Sequence, residues 1–306
     1  MGGVKLLLVD GHYYVYRSFF AIRDLSNSRG EPTNAIFGFV KAIRRMQKDL
    51  RPDLGAVVWD MGVPKRRSDL QPAYKQQREE MPDEMRLQLG RIQEMVPLMG
   101  LGSLWLADTE ADDLMASYVC AARRAGHEVV LATNDKDLFQ LVDDHVKVYS
   151  TLKGDLASPK DSCALLGADA VRRRWGVEPS QIGQVLSLTG DSADNIPGVP
   201  GLGPKGAASL LQEHGSLDAI LANPEVIRSE RIRQKIVDAR VLVEQNREMV
   251  RLDMDLPLPT PVEELGIRPN LGAFAAFLEQ CEFKSLLAEV LAEGAQRSLP
   301  MQGELF

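Results

Sequence analysis

The chain has 306 residues, a net charge of −7, and a composition that is 44% hydrophobic and 26% charged, which allows one large or two modest domains with a proper core. No apolar run approaches the roughly 18 residues that a membrane-spanning helix needs, and the short apolar stretch after Lys5 meets Asp10, so it reads as a strand and not as a signal peptide. Cys120, Cys163 and Cys281 lack any C-x-x-C spacing, and His12, His127, His145 and His214 lack ligand spacing. Neither a disulfide framework nor a zinc site is expected, and a reducing cytoplasm fits.

Taken in chain order, the apolar runs at residues 5–9, 55–59, 103–106, 128–132 and 146–149 predict short strands, separated by longer stretches of helical period. Such alternation predicts an α/β fold, a mostly parallel sheet with helices on both faces. Ligands of such sheets sit outside the carboxyl ends of the strands. Asp10 follows the first run, Asp60 closes the second, and Asp135 and Asp137 follow the fourth, so four carboxylates are expected at one sheet edge. Residues 61–100 open with Lys65-Arg66-Arg67, contain Pro64, Pro72 and Pro82, and become amphipathic over 84–95; they read as an excursion above that edge. Glu110, Asp112 and Asp113 open a helix that Asp108 or Thr109 can cap. Beyond about residue 165 the pattern is helical, interrupted by a glycine- and proline-rich stretch at 194–206, and a last helix over 271–291 precedes a polar tail. The predicted division is an α/β domain at 1–167, a helical domain at 168–292 and a tail at 293–306.

Acids in a first helical turn gain a few tenths to about 1 kcal/mol from the helix dipole, which would explain one of them. Here Asp10, Asp60, Glu110, Asp112, Asp113, Asp135, Asp137, Asp191 and Asp194 are all expected near one edge, and charges so grouped repel unless cations or protons neutralise them. Hard divalent ions with oxygen ligands answer this, and magnesium takes one or two carboxylates together with waters and substrate phosphates. A pair of such ions suits phosphoryl displacement, whereas a glycosidase would need only two of the acids. The negative total does not exclude a polyanionic partner, because basic residues cluster at 65–67, at Lys75 and Arg78, at 172–174 and at 228–235.

At these residues the sequence resembles the 5′ nuclease family that includes the N-terminal domain of bacterial family-A DNA polymerases, phage 5′ nucleases and eukaryotic flap endonucleases. The matching stretches are LLLVDGHYYVYRSFFA at the start, VVWD at Asp60, PAYKQQR at 72–78, EADD at 110–113, TNDKDLFQLV at 133–142 and LTGDSADNIPGVPGLGPKGA at 188–207. They run in the family's order over roughly residues 4–290. The resemblance points to a free-standing form of the polymerase's nuclease domain, with a resolvase-like core, a helical arch at about 61–100 and a helix-three-turn-helix element at about 181–215. It implies a 5′-3′ exonuclease and 5′-flap endonuclease acting on branched, flapped or nicked DNA with two Mg²⁺ or Mn²⁺ ions, in replication or repair. Asp10, Asp60, Glu110 and Asp112 would surround one ion, and Asp112, Asp135, Asp137, Asp191 and Asp194 the other, with Asp113 peripheral.

The same resemblance puts Lys75 and Arg78 at the scissile phosphate, sharing a face at i, i+3 if their segment is helical, with Tyr74 stacked on a base. Arg17 matches a family arginine near the active site, where a phosphate contact and a structural ion pair are both open. Arg67 would meet DNA, although Arg66-Arg67 departs from the aromatic and arginine often found there, which leaves the arch packing open. Gly201 to Gly206 satisfies G-x-G-x-x-G formally, but DSADNIPGVP is no buried strand, so Gly201, Gly203 and Lys205 fit a hairpin that binds duplex phosphates; the resemblance also admits a potassium ion there. The terminal Gln302, Leu305 and Phe306 resemble peptides that dock on the bacterial sliding clamp, with a frayed end as the alternative. A DNA-junction binder that does not cut would lack the ligands, and an RNA-directed nuclease would lack the hairpin.

Overall fold

The computed structural model describes residues 3–156, 158, 161 and 163–298. In chain order the elements are β1 (Lys5–Asp10), α1 (Gly11–Ala21), α2 (Asn34–Leu50), β2 (Leu54–Val58), α3 (Lys65–Leu70), α4 (Asp83–Met95), β3 (Gly102–Leu104) and α5 (Ala111–Arg124). There follow β4 (Glu128–Ala132), β5 (Val146–Ser150), β6 (Ala164–Leu166), α6 (Ala168–Trp175), α7 (Ile182–Thr189), α8 (Pro204–His214), α9 (Leu217–Ala222), α10 (Glu230–Asp238), α11 (Arg240–Val250), α12 (Leu271–Gln280) and α13 (Lys284–Ser298). The chain forms two compact units, one of Met1–Asp10, Val58–Glu80 and Trp105–Pro259, the other of Gly11–Val57, Met81–Leu104 and Thr260–Phe306.

In the first unit β1 runs parallel to β4 with Leu7 opposite Val130, and β4 runs parallel to β5 with Leu131 opposite Val148. β1 and β4 are nearly continuous apolar runs, as buried parallel strands are, and Leu6, Leu7, Leu8, Val9 and Leu131 are fully buried; Lys147 interrupts the apolar run of β5. The helix α5 packs on β1 and β4, and its Leu114, Met115, Tyr118 and Val119 are fully buried. The antiparallel β6, against β5, was not expected, since three residues are too few to carry a period. Beyond it α7 packs on α11 and α8, and α3 packs on α11. Asn246 ties this cluster together by donating to the carbonyls of Ser187 and Pro197. Gly190 ends α7 at φ 67°, where a Cβ would lie 2.3 Å from the Ile196 carbonyl oxygen, so only glycine fits.

In the second unit α2 buries the stripe Ile36, Phe39, Val40, Ile43 and Met46 and packs on α1 and α4. The Thr33 side chain makes no capping bond at the N-terminus of α2. Gln88 on α4 does that work, accepting from the Ala35 amide at 2.8 Å. The single helix expected over 271–291 is two, because Glu282 adopts φ 60° and the chain turns between α12 and α13. Among the described residues no helix is long and apolar enough to cross a membrane.

Candidate active site

Of the acids singled out from sequence, all nine lie in the first unit. Asp10 ends β1. Asp60 caps α5 from a distance, its Oδ1 accepting the Ala111 amide at 2.9 Å. This corrects the expected cap: Glu110 is the N-cap residue but its side chain makes no capping bond, and the Thr109 hydroxyl donates instead to the Ala107 carbonyl. The loop after β4 carries Asp135, whose Oδ1 accepts the Asp137 amide at 2.9 Å. The loop after α7 carries Asp191, which accepts from the Ala193 amide and pairs with Lys136 at 2.5 Å. Lys136 was missed in the sequence, where its place between two acids was the available signal.

The acids feel one another. Burial pushes Asp112 well above the usual carboxylate range, and Asp135, Asp10 and Asp60 push it further. Asp137 is driven well up by burial and then by Asp135, Asp191 and Asp194, with Lys136 opposing. Asp135 is raised by burial, a shift that the hydrogen bond from the Asp137 amide resists and Asp194 reinforces. Seven carboxylates therefore share one electrostatic neighbourhood. Asp137 Oδ1 is also buried without a hydrogen-bond partner, an oxygen that favours a cation beside it. Among the described residues no three acidic, histidine or cysteine side chains converge as a ready-made cage. Hard oxygen donors in a shared negative field still fit a divalent ion such as magnesium, which keeps most of its waters and takes few carboxylates directly.

Glu110 and Asp113 are engaged differently. Asp113 is 0% exposed and Arg67 3%, and the Arg67 guanidinium grips Asp113 with two bonds of 2.6 and 2.9 Å. It also donates to Glu110 and to the carbonyls of Met249 and Arg251. Arg67 was expected at a DNA contact; the structure buries it instead, because two carboxylates and two carbonyls satisfy its whole fork. Burial disfavours its cation, and Asp113 and Glu110 outweigh that, leaving its pKa above the ordinary value. The second oxygen of Glu110 accepts from Lys75.

The segment holding Tyr74, Lys75 and Arg78 is not the expected helix. Residues 72–77 form successive turns with Lys75 at φ 57°. Bonds to the 191–195 loop hold it so: the Lys75 amide donates to the Asp194 carbonyl and Asn195 Nδ2 to the Ala73 carbonyl. Lys75 and Arg78 nonetheless reach one place, Lys75 Nζ lying 3.9 Å and Arg78 2.5 Å from Asp194 oxygens. Tyr74 is buried rather than open for stacking, its hydroxyl 3.2 Å from Glu110 and 3.3 Å from Asp194. For Lys75 burial disfavours the cation, but Glu110 and Asp194 raise its pKa overall.

Arg17 is exposed on α1, in the second unit. Gly201, Gly203 and Lys205 are exposed at the N-terminus of α8, where Gly203 is the N-cap and Pro204 follows. Lys235, the last residue of the basic cluster at 228–235, donates to the Pro200 carbonyl at 2.7 Å and adds a cation there. Open amides at a helix start beside two lysines can take a phosphate. Gln302, Leu305 and Phe306 lie outside the described residues.

Comparison with known proteins gives the family. The 5′-3′ exonuclease N-terminal resolvase-like domain matches residues 5–176, and the 5′-3′ exonuclease C-terminal SAM fold matches residues 177–271. A 5′-3′ exonuclease of Aquifex aeolicus is 37% identical, over 96% of this chain and 99% of its own. The thermostable DNA polymerase I of Thermus thermophilus is 38% identical over 93% of this chain. The chain spans 33% of that polymerase's length. Among solved structures, the bacteriophage T5 flap endonuclease in a pseudo-enzyme-product complex with DNA and metal ions shares the fold at TM-score 0.67 and 20% identity, covering 94% of this chain and 98% of that one. The catalytic core of Rad2 in complex with DNA substrate does so at TM-score 0.62 and 18% identity, covering 95% of this chain and 92% of that one. With both domain descriptions matched in order and a full-length relative above a third identical, the chain belongs to the 5′-3′ exonuclease family, a family of nucleases.

Proposed function

We propose that this protein hydrolyses DNA phosphodiester bonds as a structure-specific 5′-3′ exonuclease and 5′-flap endonuclease, with two Mg²⁺ or Mn²⁺ ions, in primer removal or repair. The observation that carries the reading is the mutual repulsion of Asp10, Asp60, Asp112, Asp135, Asp137, Asp191 and Asp194, which a pair of divalent cations would relieve. Bound ions of this kind supply Lewis acidity and lower the pKa of water. Asp10, Asp60, Glu110 and Asp112 would hold one, and Asp112, Asp135, Asp137, Asp191 and Asp194 the other.

The chain's own groups do the rest. Lys75 and Arg78, now on Glu110 and Asp194, are cations able to move onto a scissile phosphate and oppose the charge that develops there. Arg67 and the Asp253 amide occupy the oxygens of Asp113, so Asp113 orients rather than ligates. Gly201, Gly203, Lys205 and Lys235 would grip duplex phosphates, with a potassium ion as a further occupant of that loop. Gln302, Leu305 and Phe306 would dock on a sliding clamp, which deletion of residues 302–306 would abolish without slowing cleavage.

The decisive test is cutting of a labelled 5′-flap duplex with Mg²⁺, with chelator, and by Asp135→Ala. Cleavage by the parent protein with Mg²⁺ alone supports the reading. Equal cutting in all three would overturn it.

A further inference from the structure

The loop after β4 reaches back to β1 through one hydroxyl. Thr133 is 0% exposed. Its Oγ1 donates to Asp10 Oδ2 at 3.0 Å and accepts the Asp135 amide, also at 3.0 Å. The Asp137 amide then donates to Asp135 Oδ1 at 2.9 Å. A single chain of bonds thus runs Asp10, Thr133, Asp135, Asp137, linking an acid of each proposed ion site.

The chemistry suits an orienting role. Accepting from the Asp135 amide leaves the hydroxyl proton directed at Asp10, which fixes the rotamer of that carboxylate. The same amide bond sets the turn that brings Asp135 and Asp137 round. The loop is anchored independently on its far side, where Asn134 Nδ2 donates to the Thr151 hydroxyl at 3.3 Å and its Oδ1 lies 2.7 Å from the Ser150 hydroxyl, so loss of the Thr133 hydroxyl should loosen the acids without releasing the loop. Asp10 also lies close enough to Asp112 to raise its pKa, which extends the bonded chain into the wider group of acids.

We propose that Thr133 is a positioning residue that couples the two carboxylate sets, so that its hydroxyl determines how tightly the divalent ions are held. The proposal rests on the nuclease reading above. Groups that orient ligands from behind typically change metal affinity by tenfold to a hundredfold.

The test compares the parent protein with Thr133→Val, which keeps the shape and removes the hydroxyl, and with Thr133→Ser, which keeps the hydroxyl. Mn²⁺ binding to the chelator-stripped chain is read by electron paramagnetic resonance, beside flap cleavage across a Mn²⁺ series. The valine variant is expected to bind Mn²⁺ roughly tenfold to a hundredfold more weakly and to recover most of its rate at saturating Mn²⁺; the serine variant should match the parent. Valine binding as the parent does, or serine failing as valine does, overturns the proposal. If the valine variant does not fold, Thr133→Ala carries the same expectation, and parent-like binding by it would be equally fatal. Absence of Mn²⁺ binding and cutting in the parent itself would instead sink the nuclease reading.

Discussion

Replacing Arg67 by methionine removes five donors from a place that water does not reach. Bonds to the Met249 and Arg251 carbonyls, each 3.0 Å, would go, as would the paired bonds to Asp113 at 2.6 and 2.9 Å and the bond to Glu110. Asp113 would keep the Asp253 amide and the Glu110 carboxylate the Lys75 ammonium. Removing one partner of a buried ion pair costs about 3–5 kcal/mol, chiefly because the remaining charge is stranded. For a body of this size each kcal/mol lowers the melting temperature by roughly 2–4 °C, so a fall of about 6–20 °C is expected in calorimetric melts with chelator. The double variant Arg67→Met, Asp113→Leu should melt higher than Arg67→Met alone, since one stranded carboxylate has gone. The pH dependence has a definite sign. Burial raises the pKa of Asp113 and Arg67 opposes it, so without Arg67 the folded state holds the Asp113 proton more tightly than the unfolded state does. The variant's deficit should then shrink as pH falls through the raised value and grow toward alkaline pH. A variant within about 2 °C of the parent at both mildly acidic and mildly alkaline pH would show that Arg67 does not neutralise the buried carboxylates.

Three other outcomes are expected. Lys75→Ala should lower the cleavage rate by roughly a hundredfold to a thousandfold with little change in duplex binding; a rate near that of the parent in single-turnover flap assays would remove Lys75 from the chemistry. Lys205→Ala should weaken binding to all duplex sequences alike and reduce the salt slope by about 1, which fluorescence anisotropy across a salt series would read; an unchanged slope counts against the hairpin. Asp112, Asp135 and Asp137 carry raised pKa values, so the folded chain binds protons more readily than the unfolded one. Its stability in chelator should therefore rise as pH falls through those raised values and level off near the ordinary carboxylate range. Saturating Mg²⁺ should flatten that slope, and identical melting curves with and without Mg²⁺ would speak against ion binding.

Much of the core was legible because it rests on period and placement. Apolar runs marked β1, β4 and β5, and the acids at the carboxyl ends of β1 and β4 followed from strand direction. What was not legible depends on distant partners. The turns at 72–77 contain residues of good helix propensity, and only bonds to the 191–195 loop hold Lys75 in the left-handed region. Arg67 reads as a surface cation by composition, yet it is buried by carbonyls at 249 and 251, far along the chain. The break between α12 and α13 turns on one residue, Glu282, and an unbroken helical period hides it. Thr133 lies inside a quoted motif, but its two bonds, one reaching back to β1, depend on the register of parallel strands.

Divalent ions held by the acids of the first unit can be counted on the protein itself. Chelator-stripped protein titrated with Mn²⁺ and followed by electron paramagnetic resonance should take up about two ions per chain, and Asp135→Asn combined with Asp137→Asn should lose at least one of them. Uptake of fewer than about one ion per chain by the parent, or uptake untouched by the paired substitution, would mean that these acids do not hold the ions.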